Sequence, residues 1–552
     1  MQQNKTIILC GGSIDFLNLP INTNQSHAMI PVNGKPVIGW ILDDLLSEGI
    51  NEVIITRKAT DFQLCDFLIN SYRKRMKITQ VPLLFNGNIL DSLRAGLDLA
   101  ATDGEVKVIL GDTLIYDSYK EKGDYVYVHE VKESHRWCLA SIDKDEKIID
   151  YIDKKEDVPA PNFALCGYYN FQNGQYLRKV LVKALADGKK QLSDVLKLYG
   201  EKYNLYAIKA QHWYDFGNID NLVSSRQRLL QGRFFNSLTI DGVLNTITKN
   251  STYNEKLRDE LNWYFQIPDE LKVLTPRIIN HSHTDETIKI VQEYYGYSTL
   301  SELFLYADIH IETWRSILNK LFSIHGKFRE YKGELSRADV SKIYKDKTLE
   351  RLDTQKGLSS YWNNLLSKET IIWNGKKLVN AFELITTLSD SIEELIDHAN
   401  ITVIHGDYCF SNILFDINTQ ITRLIDPRGS FGKKGIYGDS RYDIAKLRHS
   451  ICGLYDYIVS DLFTVQEVSE GVFETAILAS ETSLRLENIF DKLIIENGYK
   501  LEEIKLIEGL LFISMLPLHK DKPERQKLMY LRGLALLNEV VTLIKEKKIS
   551  AL

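Results

Sequence analysis

The sequence predicts an α/β protein in two domains, and three observations carry that expectation. The first half alternates β-type runs with helical patterns. The second half is dominated by helical periodicity. Two short apolar runs in that second half each lead into a motif that contains an aspartate. The chain has 552 residues, 44% of them hydrophobic and 26% charged, which is ample for two large cores at roughly 100–200 residues per domain. With 32 Gly and 11 Pro, collagen-like and disordered classes drop out. Sixty-eight Lys+Arg against 74 Asp+Glu leave a net charge of −6, so no general electrostatic attraction to nucleic acid is expected. The six cysteines form no C-x-x-C pair, which argues against zinc or disulfides and for a reducing compartment. The run before Gly11 is too short for a signal peptide, and Leu510 to Leu518 is too short to span a membrane. A cytoplasmic protein without membrane insertion is the expectation.

Taken in order, Thr6 to Leu9 reads as a first strand feeding the tight Gly11-Gly12 loop. Val37 to Leu46 has helical spacing and stops at Gly49. Val53 to Ile55 is a strand, Asp91 to Ala100 a helix, and Val106 to Leu110 a strand ending in Gly111-Asp112. Strands separated by helices predict a parallel sheet covered on both faces, with ligands beyond the carboxyl ends of the strands. Both Gly11-Gly12 and Asp112 fall there. Leu222 to Leu230 reads as helix, and a soft domain boundary follows near 232. Leu238 to Thr248 alternates like a strand pair around Asp241-Gly242. Thr313 to Ala399 and the stretch from about 440 onward read as mostly helical.

The segment His405-Gly406-Asp407-Tyr408-Cys409-Phe410-Ser411-Asn412 is followed by Leu424-Ile425-Asp426. Phosphoryl transfer needs one carboxylate to orient the attacking hydroxyl, plus an Asn and a second Asp to hold Mg²⁺ against the nucleotide phosphates. Asp407 is the candidate base, with Asn412 and Asp426 the candidate metal ligands. The pattern resembles the aminoglycoside phosphotransferase/choline kinase-like family, whose signature is H-G-D-x-x-x-x-N followed by I-D. The resemblance covers about 235–470 and extends through Gly438-Asp439 and Tyr442-Asp443-Ile444-Ala445, where the family's Asp has a structural role. It implies ATP as co-substrate, Lys249 as the phosphate-contacting lysine, and Glu260 as its partner, with Glu255 the alternative. Val291 to Tyr295 corresponds to the hinge that meets adenine. Arg428, two residues past Asp426, could clamp a substrate phosphate or carboxylate or pair with an acid of the fold.

Met29-Ile30-Pro31-Val32-Asn33-Gly34-Lys35-Pro36-Val37, Gly111-Asp112 and Trp213-Tyr214-Asp215-Phe216-Gly217 resemble sugar-phosphate and choline-phosphate nucleotidyltransferases over about 1–230. That family joins a phosphate monoester to the α-phosphorus of an NTP and expels pyrophosphate. The resemblance implies Asp112 and Asp215 as the Mg²⁺ pair, Lys35 as a phosphate contact, and Gly11 and Gly12 as a close approach to the nucleotide, CTP or UTP. One departure stands out. Residues 13–27 contain no Lys or Arg, and His27 occupies the place of the family's lysine. Loss of cations from the cradle weakens stabilisation of the leaving pyrophosphate, unless Lys35, Arg57 or Arg94 compensates.

Together the resemblances imply a Rossmann-like nucleotidyltransferase domain over 1–232 and a bilobal α+β protein-kinase-like domain over 233–552. The expected function is bifunctional: ATP-dependent phosphorylation of a small hydroxylated metabolite, sugar or amino alcohol, then coupling to an NTP. Such products are nucleotide-activated donors for capsule or surface polysaccharide. The alternatives are a small-molecule kinase with a degenerate nucleotidyltransferase domain, a non-catalytic nucleotide-binding protein, and a glycosyltransferase first half. His281-Ser282-His283 with Asp285 reads as a surface loop rather than a metal site. Arg73-Lys74-Arg75 reads as a solvated face, and Tyr294, Tyr295 and Tyr297 as packing residues, with an aromatic-lined substrate pocket in the second half the alternative.

Overall fold

The computed structural model describes residues 4–12, 25–84, 87–117, 123–217, 225, 226, 228, 229, 238–252, 255–284 and 287–550. The chain divides into two compact units: Met1–Arg233 with Tyr306–Asp308, and Phe234–Leu305 with Ile309–Leu552. The expected boundary at 232, most of the Leu222 to Leu230 helix, and Asp285 lie outside the described residues.

The first unit is built on a nine-stranded sheet. Its main path runs Ile148–Asp153, Cys138–Ile142, Asn162–Phe171, Val106–Leu110, Lys5–Cys10, Glu52–Lys58 and Lys77–Leu83. Tyr125–Val131 pairs with Asn162–Phe171 and with Tyr206–Lys209. Ile7, Ile8, Val53 and Ile55 are each at most 1% exposed, because a central strand covered on both faces must be apolar throughout. The helix Val37–Ser47 buries Val37, Ile38, Ile41, Leu42 and Leu45. The helix Ile89–Ala100 begins in a capping box between Asn88 and Asp91 and packs Leu93 and Leu97 into the core that holds Ile7 and Val108.

The parallel-sheet expectation holds for four neighbouring strands, Val106–Leu110, Lys5–Cys10, Glu52–Lys58 and Lys77–Leu83, and for the pair Tyr125–Val131 and Tyr206–Lys209. Asn162–Phe171 runs antiparallel to Val106–Leu110 and to Cys138–Ile142, which is itself antiparallel to Ile148–Asp153. For the pair Cys138–Ile142 and Ile148–Asp153 the reason is connection length: Asp143 closes a tight turn by accepting N–H groups of Asp145 and Lys147 at 2.9 and 3.0 Å. A turn that short can only return the chain antiparallel.

The second unit opens with a four-stranded antiparallel sheet in the order Leu238–Asp241, Thr246–Thr252, Thr287–Glu293, Ile278–His283. The helix Glu255–Gln266 buries Glu260, Leu261, Trp263 and Tyr264. A largely helical body follows, centred on Ser440–Ile451, in which every residue is buried. The two arginines of that segment are paired with carboxylates. Arg441 meets Asp439 and Glu503 at 2.7 and 2.9 Å, and Arg448 meets Asp491 at 2.8 Å and also Glu508.

Two helical expectations fail locally. Thr370–Trp373 and Lys376–Val379 form a hairpin, and Phe463–Ser469 with Val472–Ile477 form another, all four strands joining in one sheet. The first hairpin turns on Asn374-Gly375, with φ of 46° and 77°, the left-handed pair that an Asn-Gly loop supplies. His281 and His283 are strand residues rather than loop residues, both exposed, with His281 against the Phe265 ring at 5.1 Å. Among the described residues, no helix is long and apolar enough to cross a membrane.

Candidate active sites

In the first unit, sheet topology brings two carboxylates together. Asp112 follows the central Val106–Leu110 strand, and Gly111 N–H donates to Leu9 O at 2.9 Å. Trp213–Asp215 pairs antiparallel with Thr113–Ile115, placing Asp215 opposite Thr113. Phe216 N–H then donates to Asp112 O at 3.0 Å. The two carboxylates converge on Gly217, where an added Cβ would lie 3.0 Å from Asp112 Oδ2 and 3.4 Å from Asp215 Oδ1. Burial, then the charge of Asp215, pushes the Asp112 carboxyl up to about 6. Asp215 also accepts hydrogen bonds from Trp137 Nε1 and Gly217 N–H, both at 3.0 Å. Two facing carboxylates held against their mutual repulsion are a donor set that fits a hard divalent cation such as Mg²⁺. A cavity of about 270 Å³ beside Asp215 is lined by His129, Lys132, Trp137, Trp213 and Arg228.

The cations expected around this pair are engaged elsewhere. Lys35 Nζ pairs with Asp43 and lies 4.1 Å from the Trp40 ring centroid; Arg75 and Tyr72 also bond Asp43, at 2.9 and 3.1 Å. Arg57 is buried and donates to Gln80 at 2.7 Å and to the Lys58 carbonyl at 2.8 Å. Arg94 lies 3.7 Å from Asp98 on its own helix. His27 Nδ1 is 4.0 Å from Asp112 Oδ2. Gly11 has a packing reason: a Cβ there would come within 2.7 Å of Ser92 Oγ, whereas at Gly12 it would meet only His27, at 3.5 Å. Residues 13–24, where the family's loop would lie, are outside the described residues.

In the second unit, Lys249 projects from Thr246–Thr252 and is 15% exposed at its side chain. Its Nζ bonds Glu260 at 2.6 Å and also pairs with Asp426. Burial opposes its charge, yet Glu260 and Asp426 hold the ammonium above its usual range. Glu255 pairs instead with Lys434, at 3.4 Å.

The loop carrying Asp407 leaves the strand Ile401–Val403 and is anchored from below. Asp443 accepts the N–H groups of His405 and Gly406 at 2.7 and 2.9 Å. Gly406 has φ of 78°, and a Cβ there would meet Arg428 Cβ at 2.8 Å, so only glycine suits the position. Arg428 N–H in turn donates to His405 O at 2.9 Å. Asn412 ends the turn Phe410–Asn412, and its Nδ2 donates to Asp407 Oδ2 at 2.9 Å and to Asp407 O at 3.0 Å. The hairpin Ile413–Phe415/Thr422–Leu424 returns the chain to Asp426, whose φ of 56° is left-handed and rare outside glycine.

Sequence reasoning missed one partner. Lys446 Nζ lies 2.8 Å from Asp407 Oδ1. Burial raises the Asp407 carboxyl, but Lys446, His405 and Arg428 outweigh it and bring the group down to about 2. The available signal was the spacing of Asp443 and Lys446, one helical turn apart on a buried helix.

Glu260, Asp407, Asp426, Arg428 and Lys446 line a single cavity of about 450 Å³. Asn412 sits just behind, bonded to Asp407. The Asn and Asp oxygens form a hard donor set compatible with Mg²⁺. The side chains of Val291 and Tyr295 belong to the strand Thr287–Glu293 and its exit, where Tyr295 bonds Glu293 at 2.8 Å and underlies Arg423.

Residues 5–232 match the family model described as Nucleotidyl transferase. The bifunctional protein GlmU of Methanocaldococcus jannaschii is 26% identical over 229 residues, 41% of this chain and 54% of that one. Glucose-1-phosphate thymidylyltransferase of Xanthomonas campestris pv. campestris is 25% identical over 235 residues, 40% of this chain and 79% of that one. This chain thus spans about half of the first relative and about four fifths of the second. Among solved structures, CTP:phosphocholine cytidylyltransferase from Streptococcus pneumoniae is 19% identical, with a TM-score of 0.35, covering 41% of this chain and 99% of that one. Over residues 5–232 the chain is thus similar to nucleotidyltransferases.

Proposed function

We propose that the chain carries two transferases: an ATP-dependent phosphotransferase for a small alcohol in the second unit and a nucleotidyltransferase in the first. The single observation that carries the phosphotransferase reading is the cavity that Glu260, Asp407 and Asp426 share, with Lys249 bridging Glu260 and Asp426. In this reading Asp407 orients the acceptor hydroxyl and Lys249 contacts the nucleotide phosphates. The hydroxyl oxygen bonds the γ-phosphorus, the β–γ bridge breaks, ADP leaves with the electron pair, and the proton departs by way of Asp407. When bound, Mg²⁺ supplies charge neutralisation at the phosphates, held by Asn412 and Asp426 here and by Asp112 and Asp215 in the first unit.

In the first unit the phosphate monoester attacks the α-phosphorus of an NTP and pyrophosphate leaves. The relatives' names support sugar phosphates or phosphocholine as the class of acceptor. Donors of that kind feed capsule or surface polysaccharide synthesis. The deciding experiment supplies candidate alcohols, ATP and each NTP, and follows ADP and pyrophosphate separately. ADP without pyrophosphate would remove the second transferase; neither product would remove both.

A second reading, a kinase with a retired nucleotidyltransferase unit, is favoured by a specific observation. Lys35 is tied to Asp43 and Arg57 to Gln80 and backbone carbonyls, so neither makes good the cations absent from residues 13–27. Asp112→Asn and Asp215→Asn separate the two readings: turnover unaffected by either supports retirement.

A further inference from the structure

The cavity that holds Asp407 is rich in cationic side chains. Lys347 and Arg351 stand one helical turn apart on the helix Lys347–Gly357, and both line the cavity with Arg428. Like charges at i and i+4 destabilise a helix, so an arrangement of this kind calls for compensation. Elsewhere in the unit compensation is present, since Arg441 and Arg448 both meet carboxylates. Among the described residues, no carboxylate lies within ion-pair distance of Lys347, Arg351 or Arg428. Arg351 Nη1 donates to Ser514 O at 2.7 Å and Arg428 Nη1 to Tyr442 Oη at 2.8 Å, contacts that fix both guanidinium groups without neutralising them. Burial and then the charges of Arg428, Arg351 and Lys446 push Lys347 down to about 6. His449 lines the same cavity; it is 1% exposed, and neither ring nitrogen has a hydrogen-bond partner among the described residues.

Building on the phosphotransferase reading, we infer that the acceptor alcohol is an anion, its carboxylate or phosphate ester gripped by Lys347, Arg351 and Arg428 while its hydroxyl faces Asp407. Planar guanidinium forks suit either group bidentately, and His449 offers a hydrogen bond to a further hydroxyl. A quaternary ammonium or polyamine acceptor meets the guanidinium charges of Arg351 and Arg428 here, neither with a carboxylate in ion-pair distance among the described residues, and its cation is repelled. Lys347 and Arg428 feel the charge of Asp407, and Arg351 that of Arg428, whereas Lys249 is bonded to Glu260 and paired with Asp426. On this placement they serve the acceptor rather than the nucleotide.

The test uses the full chain and matched acceptors: glycerol, D-glycerate and glycerol 3-phosphate; glucose, glucuronate and glucose 6-phosphate; and choline. Calorimetric binding is measured beside ATP-dependent turnover. The expected result is binding of a carboxylate or phosphate member at least about 10-fold tighter than its neutral parent, with turnover following the same order; the two anionic arms tell carboxylate from phosphate. Lys347→Met and Arg351→Met are expected to lower kcat/KM for the anion about 10- to 100-fold and to collapse the anion-to-neutral ratio, with Lys347→Arg restoring it in part. Turnover of choline or a neutral alcohol at equal or higher kcat/KM overturns the anion assignment and leaves the phosphotransferase reading intact. Selective anion binding with no turnover of any acceptor overturns the phosphotransferase reading and leaves the anion site standing. Variants that weaken ATP binding instead of acceptor binding overturn the placement of the three cations.

Discussion

Lys446 Nζ lies 2.8 Å from Asp407 Oδ1, while Asn412 Nδ2 holds the other carboxylate oxygen at 2.9 Å. The carboxylate thus has both oxygens fixed before any substrate arrives, although its side chain remains 40% exposed to the cavity. In the proposed phosphotransferase, preorganisation of this kind would decide whether a hydroxyl is presented in line with the γ-phosphorus.

Lys446→Met is expected to lower kcat for phosphoryl transfer about 100-fold by freeing the carboxylate to rotate, and Lys446→Arg to recover part of it. Asp407→Asn is expected to lower it further. Steady-state ADP release with the preferred acceptor checks both; an unimpaired Lys446→Met chain would assign the lysine to packing alone.

Lys249→Met removes the ammonium between Glu260 and Asp426 and leaves two carboxylates facing each other. An expected loss of about 100-fold in kcat/KM for ATP follows from deleting one preorganised electrostatic contact. Glu260→Gln tests the same triad from its other side and is expected to cost less, since the lysine retains Asp426. ATP titrations of both variants give the comparison.

His27→Lys returns a cation to within reach of Asp112 in the first unit. If missing charge limits nucleotidyl transfer, pyrophosphate release at a fixed, subsaturating NTP concentration is expected to rise about 10-fold. No gain would shift attention to the Lys35–Asp43 pair, where Asp43→Asn is the corresponding change.

His325 supplies a pH prediction for stability. The ring is 2% exposed; Nε2 lies 3.1 Å from Ser440 O and Nδ1 3.2 Å from Tyr499 Oη, contacts that a neutral ring with its proton on Nε2 satisfies. Burial, then Arg329, depresses its protonation to about 3, against about 6.5 unfolded. The unfolded chain therefore binds the proton first. The contribution of His325 to stability is complete above pH ~6.5 and falls by up to about 1.4 kcal/mol per pH unit as pH drops toward ~3; buried His405 and His449, whose protonation is likewise depressed, add in the same direction. Urea titrations from pH 7 to 4.5 are expected to show stability falling with pH in the second unit, and His325→Gln to lessen the slope.

Phe410 is fully buried, stacked on Trp314 at 5.7 Å and edge-on to Phe304 at 5.3 Å, directly beside Asn412. Phe410→Ala is expected to cost about 3–5 kcal/mol in unfolding free energy and to lower kcat through the displaced turn. Phe410→Leu is expected to cost less on both measures.

How far the sequence foretold this molecule depended on whether the information was local. Asp407, Asn412 and Asp426 lie on one short stretch, and the strands and turns that carry them are written in adjacent apolar runs. Val37, Ile38, Ile41, Leu42 and Leu45 gave their helix by spacing alone. Lys446 was invisible because its partner is 39 positions away and its helix is buried on every side, so no amphipathic stripe marks a functional face. Lys347 and Arg351 lie in a stretch legible only as helix, since nothing local says that their face lines a cavity. The strands Thr370–Trp373 and Lys376–Val379 were overlooked despite the Asn374-Gly375 turn signal, because helical periodicity dominates on both sides. Lys35 was assigned to phosphate by likeness, and only the fold revealed Asp43 as its neighbour.

Gly406 and Arg428 have a bearing on redesign. With glycine obligatory at 406 and the Arg428 backbone bonded to His405, the two loops behave as one rigid bracket. Exchanging Arg428 to admit a different alcohol would disturb the seat of Asp407 as well. The Lys347–Gly357 helix carries no such burden, so acceptor preference is more safely recoded from Lys347 and Arg351.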